Sequence, residues 1–309
     1  SGHTDTVPYN EKLWMQDPLK LLEKDNKFYG LGSTDMKSFF PIILAALEKI
    51  DLEKLNRPLY ILATSDEEST MAGAKALVSS ERALGRHALI GEPTGLKPIN
   101  MHKGILVETI KLTGSSGHSS DPDFGVNALE GMHTVISSLM KLREEIQAQH
   151  KNPLFKVPVP TMNFASIQGG DNPNRICENC ELTIDMRMLP SMDLNDCRAA
   201  IRRNVMQAID GRRLKVEFDQ VFAGMSGMQT DGNAEIVQLA EKLAGEPTGT
   251  VAFGTEGPYL NSIGMETVVL GPGDIDQAHQ ANEYLLLDRI DPMITILEKM
   301  ITHFCINEG

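Results

Sequence analysis

The chain has 309 residues, 41% of them hydrophobic, with no compositional bias, which is enough to bury a full core and to build two domains. Its formal charge of −13 puts a negative field over the surface that repels nucleic acid and anionic membranes. No apolar run approaches the roughly 20 residues a membrane span needs, the opening Ser1-Gly-His-Thr-Asp5 has no basic-then-apolar signal layout, and the four cysteines are not the dense set of a secreted disulfide scaffold, so a cytoplasmic location is expected.

Along residues 36–47, Phe39, Phe40, Ile43, Leu44 and Leu47 recur at helical spacing. A short buried strand is expected at 59–63, ending in polar Thr64-Ser65-Asp66, and a helix over about 71–80 leads to a strand at 88–90 that breaks at Gly91-Glu92-Pro93-Thr94. This alternation indicates an α/β sheet with functional groups at its strand ends. The middle reads differently: a strand at 105–112, a helix at 126–147, strands at 161–168 and 181–188, a helix at 194–209 and a strand at 214–221. That is the β-α-β-β-α-β order of a ferredoxin-like unit. Alternation resumes with a helix near 234–243, a strand at 267–270 and an amphipathic helix at 290–304. The expected division is therefore 1–104 with 223–309 as one domain and 105–222 as an insertion. Cys177 and Cys180 form a single C-x-x-C, and a structural zinc site would need a second pair of ligands nearby.

The acidic and imidazole groups at expected strand ends are His3 and Asp5, Asp35, Glu67 and Glu68, Glu92 and His279. Such a set suits two zinc ions, because zinc takes imidazole nitrogen and carboxylate oxygen, and one carboxylate can bridge ions about 3.5–4 Å apart. Asp35 is the bridge candidate. In His3-Thr4-Asp5 two side chains share a strand face, so the Asp5 carboxylate is expected to accept the other ring N–H of His3 and fix its tautomer. Adjacent Glu67 and Glu68 repel unless a cation or proton relieves them. Gly30-x-Gly32-x-x-Asp35 has the outline of a dinucleotide loop, but no acidic ribose partner follows at the usual distance.

Five stretches resemble the metal-site motifs of the M20 peptidase family, in family order: 1–8, Gly30-x-Gly32-x-x-Asp35-Met36-Lys37, Thr64-Ser-Asp-Glu-Glu68, Gly91-Glu-Pro-Thr94 and Ala278-His-Gln-Ala-Asn-Glu283. The resemblance implies a zinc-exopeptidase-like catalytic domain with a mixed sheet and flanking helices, plus an inserted ferredoxin-like dimerisation domain at 105–222. It implies two zinc ions per subunit, with cobalt as a possible substitute: His3 and Glu92 on one, Glu68 and His279 on the other, Asp35 between them, and Glu67 as general base. His118 in Gly117-His118-Ser119 matches the histidine that the family draws from the partner subunit to steady the oxyanion, which implies a homodimer. Relatives carry several dozen earlier residues that form a helix and the first strands of the catalytic domain, so part of that domain is expected to be missing from the chain as written.

For the substrate carboxylate, Arg187, Asn174 and Lys103 stand at positions resembling family substrate contacts, and the guanidinium fork makes Arg187 the strongest. The metal motifs do not choose among acyl amino acids. The stretches 254–259, 270–280, 117–122 and 170–177 resemble the branch that hydrolyses N2-acetylornithine rather than its desuccinylase relatives, and the resemblance spans essentially the whole chain. Within it, Thr255 and Glu256 are expected to line the substrate pocket, Glu256 facing the side-chain ammonium. The small-molecule N-acyl amino acid is then the substrate. The competing readings are a related deacylase, such as a succinyl-diaminopimelate desuccinylase or a broad acyl-amino-acid hydrolase, and a non-catalytic binding protein on the same scaffold.

Overall fold

Helix Phe39–Leu47 turns Phe39, Ile42, Ile43 and Ala46 inward, the stripe that 3.6-residue periodicity puts on one face. Helix Ile290–Ile301 does the same with Met293, Ile294, Leu297 and Met300, and both faces join one apolar cluster with Val237, Ala240, Val268 and Leu270. The computed structural model describes residues 1–80, 82 and 84–307. They form two compact units: one of residues 1–101, 228–251 and 255–307, and one of His102–Gly227 with Ala252–Gly254.

In the first unit, strand Glu266–Val269 runs parallel to His87–Ile90, with Glu266 opposite His87 and Val269 opposite Ile90. On its other side it meets Ile99–His102 antiparallel, and that strand is flanked by Met228–Gln229 and Gly249–Val251. A second, parallel pair joins Gly2–His3 to Ala63–Thr64. The chain leaves these parallel strands at Thr4-Asp5, Ser65-Asp66-Glu67-Glu68 and Gly91-Glu92, the carboxyl ends at which open α/β sheets bind ligands. A three-stranded antiparallel sheet, Leu22–Lys24, Lys27–Tyr29 and Tyr284–Leu286, brings the segment after His279 beside the loop that carries Asp35. Its hairpin turns at Asp25 and Asn26, both left-handed at φ 51° and 60°, as a two-residue turn that matches strand twist requires.

The strand expected at 59–63 forms only as Ala63–Thr64, and Tyr60 and Ile61 lie exposed. A ladder needs a neighbour, and the strand beside it is just Gly2–His3, whose reach ends with the hydrogen bond from Gly2 N to Leu62 O at 3.1 Å. The helix expected from residue 36 starts at Phe39, and the last helix gives way to a π-helical turn over Thr302–Ile306. No described helix is long and apolar enough to cross a membrane.

The second unit is one antiparallel sheet in the order Lys215–Met225, Gly104–Thr113, Asn179–Met188, Thr161–Gly169, with helices Ala128–Gln149 and Leu194–Ala208. In chain order that is β-α-β-β-α-β. Period-two alternation buries Leu106, Ile110 and Leu112 on one strand and Leu182, Ile184 and Met186 on the next, with Met132, Val135, Leu139, Ile201 and Val205 supplied by the helices. Glu108, fully buried among them, is neutralised by Arg202, whose Nε donates to Oε1 at 2.8 Å. The unit extends past 105–222 because the outer strand keeps pairing as far as Met225 opposite Ile105. All four cysteines are free thiols, and Cys177 Sγ donates to the Asn179 carbonyl.

Candidate metal centre

Asp35 is straddled by two imidazoles, one on each carboxylate oxygen. His3 Nε2 lies 3.0 Å from Oδ1 and His279 Nε2 lies 3.3 Å from Oδ2. His279 Nε2 is also 3.0 Å from Glu68 Oε1, and His3 Nε2 is 3.7 Å from Glu92 Oε1. Ligand atoms of His3, Asp35 and Glu68 fall within 4.8 Å of one another, and so do those of His3, Glu67 and Glu92. Six residues spread from position 3 to position 279 thus converge. Glu67, read from the sequence as the base, stands at ligand distance itself.

The loop bearing Asp35 is held by Glu283, which the sequence reading passed over. Its buried carboxylate accepts backbone N–H groups from Gly32 at 2.8 Å, Thr34 at 2.8 Å and Asp35 at 3.0 Å. Glu67 and Glu68 are aimed by Asp5, whose Oδ1 and Oδ2 accept their backbone N–H groups at 3.2 and 3.1 Å. This corrects the expected role of Asp5: His3 Nδ1 faces the Asp5 backbone carbonyl at 3.0 Å, with the carboxylate farther off at 3.6 Å. The tautomer is fixed by the main chain because the carboxylate is engaged elsewhere. Glu92 depends on two glycines. A Cβ on Gly91 would enter the Phe39 ring, and one on Gly271 would strike the Gly91 and Glu92 carbonyl oxygens.

The charges press on one another. Burial pushes the Glu67 carboxyl up, and Glu68, Asp35 and Glu256 add to it against the opposing His3, leaving it at about 8. Glu92 is raised well above its ordinary value, by burial first and then by the same acidic neighbours. Burial alone would lower His3, but the Asp35 hydrogen bond and the surrounding carboxylates raise it to about 9. Hydrogen bonds to Asp35 and Glu68 raise His279 to about 10. Asp35 is held well below the carboxylate range by its two imidazoles, which overcome its burial. Carboxylates that cannot all ionise beside one another, with imidazoles among them, are the electrostatics of a donor set suited to cations. Two imidazole nitrogens, the carboxylates of Glu67, Glu68 and Glu92 and a two-sided Asp35 fit a pair of divalent ions.

Thr255 and Glu256 lie buried in this same unit. The Thr255 hydroxyl accepts the Gly257 N–H at 3.0 Å where helix Gly257–Ser262 begins, so its oxygen has structural work. The other residues singled out belong to the second unit. His118 is exposed, its Nδ1 2.7 Å from the Ser120 hydroxyl, and Asn174 adjoins it by accepting the Ser119 N–H at 3.1 Å. The Arg187 fork is occupied along one edge by Asp185, at 2.8 and 3.0 Å. Lys103, buried, donates to the Val159 carbonyl at 2.7 Å.

The profile described as peptidase family M20/M25/M40 matches residues 1–303. An acetylornithine deacetylase of Edwardsiella ictaluri is 48% identical over 305 residues, spanning 99% of this chain and 79% of the relative. The acetylornithine deacetylase of Photorhabdus laumondii is 45% identical over 308 residues, covering all of this chain and 80% of the relative. Among solved structures, a tripeptidase from Staphylococcus aureus superposes with a TM-score of 0.74 at 20% identity, covering 98% of this chain and 79% of the other. An M20 metallo-carboxypeptidase from Sulfolobus solfataricus gives 0.74 at 16% identity, covering 97% and 83%. At these identities the structures speak to the fold alone.

Proposed function

The chain belongs to peptidase family M20/M25/M40, and from that premise we propose that it hydrolyses the acetyl amide of N2-acetyl-L-ornithine to L-ornithine and acetate. It is a metal-dependent amide hydrolase. The observation that carries the reading is Asp35 offering one oxygen to each of two imidazoles inside a ring of Glu67, Glu68 and Glu92. The substrate is supported by relatives named acetylornithine deacetylase at 45–48% identity over nearly the whole chain.

His3 and Glu92 would hold one zinc ion, His279 and Glu68 the other, with Asp35 shared and cobalt as a substitute. Bound there, divalent ions polarise an amide carbonyl and acidify water. Glu67 takes the proton of the water that attacks the acetyl carbonyl and returns it to the amide nitrogen as the C–N bond breaks. Asp5 and Glu283 are positioning residues that keep Glu67, Glu68 and Asp35 aimed at one point.

His118 of a partner subunit is assigned the oxyanion contact, and Arg187, Asn174 and Lys103 the substrate carboxylate. The homodimer is supported by an open edge: among the described residues, strand Thr161–Gly169 is paired on one side only, and Ile167 on it is exposed. Four free thiols support a reducing, cytoplasmic setting. The test is acetate release from N2-acetyl-L-ornithine, measured beside N-succinyl-diaminopimelate with zinc or cobalt added. Release of acetate, with slower release of succinate, is expected; no acetate release by metal-loaded protein overturns the proposal.

A further inference from the structure

The carboxylate of Glu256 is buried, with 2% of the residue exposed, yet it takes no part in either group of potential metal ligands. Its Oε2 accepts the Ser1 hydroxyl at 3.2 Å, and Oε1 has no hydrogen-bond partner among the described residues. The Ser1 nitrogen, close by, donates to the Leu89 carbonyl at 2.7 Å. An ionised, half-satisfied carboxylate inside a protein is costly, and Glu67 and Glu92 stand near enough for their charges to oppose it further.

Its position is set by the strands that carry the centre. Ser1 lies two residues before His3, so their side chains share a strand face and stand roughly 7 Å apart along it. Thr64, whose hydroxyl also reaches Glu256, ends the neighbouring strand just before Glu67. A side chain of three methylenes and an amine spans about 5 Å from Cα to nitrogen. A substrate whose amide lies at Glu67 could therefore bring an ammonium onto Glu256.

We propose that Glu256 is the specificity-determining residue for a cationic substrate side chain, its free Oε1 receiving the terminal ammonium of an acyl diamino acid. This rests on the amide-hydrolase reading above and deepens it. The comparison that isolates the ammonium is N2-acetyl-L-ornithine against N-acetyl-L-norvaline, identical but for the amine. The wild-type protein is expected to prefer the first in kcat/KM by roughly 10- to 100-fold, the size of a charged hydrogen bond made in a buried site. In Glu256→Gln that ratio falls toward one, carried mainly by a higher KM for the ornithine substrate. Glu256→Asp, which keeps the charge, retains the preference. As a readout independent of turnover, L-ornithine raises the melting temperature of the wild type more than L-norvaline does, and the difference vanishes in Glu256→Gln. Acetate release with equal kcat/KM for both substrates in the wild type, or an unchanged ratio in a folded Glu256→Gln, overturns the assignment of Glu256 alone. No acetate release from either substrate overturns the parent reading and this one with it.

Discussion

Glu283→Ala removes a side chain that touches no proposed ligand atom, yet it should damage the centre. Oε1 of Glu283 accepts the N–H groups of Thr34 and Asp35, and Oε2 that of Gly32. Alanine leaves three buried N–H groups without an acceptor, each costing about 1–3 kcal/mol. The sum is offset in part because the carboxylate is itself disfavoured by burial, which raises its pKa, so the expected loss is about 3–5 kcal/mol. Glu283→Gln still presents one oxygen to Thr34 and Asp35 but turns an amide NH2 toward the Gly32 N–H, donor against donor, for about 1–3 kcal/mol. Calorimetric melting with titration of zinc into chelated protein would measure both. Alanine should fall farther than glutamine, and metal affinity should fall in the same order because Asp35 loses its aim. If Glu283→Ala melted within about 0.5 kcal/mol of the wild type with unchanged zinc affinity, the idea that this carboxylate holds the Asp35 loop would be wrong.

Gly271→Ala drives a Cβ into the Gly91 and Glu92 carbonyls and should cost about 1–3 kcal/mol while weakening metal binding. Gly232→Ala, at a site with nothing within 4 Å, should leave both unchanged; equal melting of the two variants would contradict the steric account. The raised pKa values of Glu67, His3 and His279, about 8, 9 and 10, mean that the metal-free centre carries protons at pH 7 that ligation must displace. Zinc affinity should therefore rise between about pH 6 and 9, with proton release visible by calorimetry in buffers of different ionisation enthalpy; a flat profile would refute this. The imidazoles' contribution to metal-free stability is complete below their unfolded value of 6.5 and is lost as pH climbs through 9 to 10, so chelated protein should melt lower at pH 9.5 than at pH 7.

Where a helix or strand repeats its period for two turns or more, as in Ala128–Gln149, Asn179–Met188 or Leu194–Ala208, the sequence reading and the structure differ at the ends alone. It fails where an element exists only by virtue of a neighbour. The apolar stretch 59–61 has strand composition but no ladder partner among the described residues, while Lys27–Tyr29 is too short to show a period and forms because Tyr284–Leu286 lies beside it. The imidazole and carboxylate groups that converge were legible because such residues gathered at strand ends have few other uses. Glu283 and the two carboxylate oxygens of Asp5 were not, since their work is done on backbone N–H groups whose positions no side-chain pattern records.

Everything in the proposed chemistry turns on Glu67 moving a proton beside a pair of divalent ions, and Glu67→Gln examines that most directly because it removes the base while keeping the shape. Metal content and acetate release from N2-acetyl-L-ornithine would be measured on the same preparation. About two equivalents of zinc should remain per chain while turnover drops roughly 10²- to 10⁴-fold. Turnover within a few-fold of the wild type at full metal content would contradict the account.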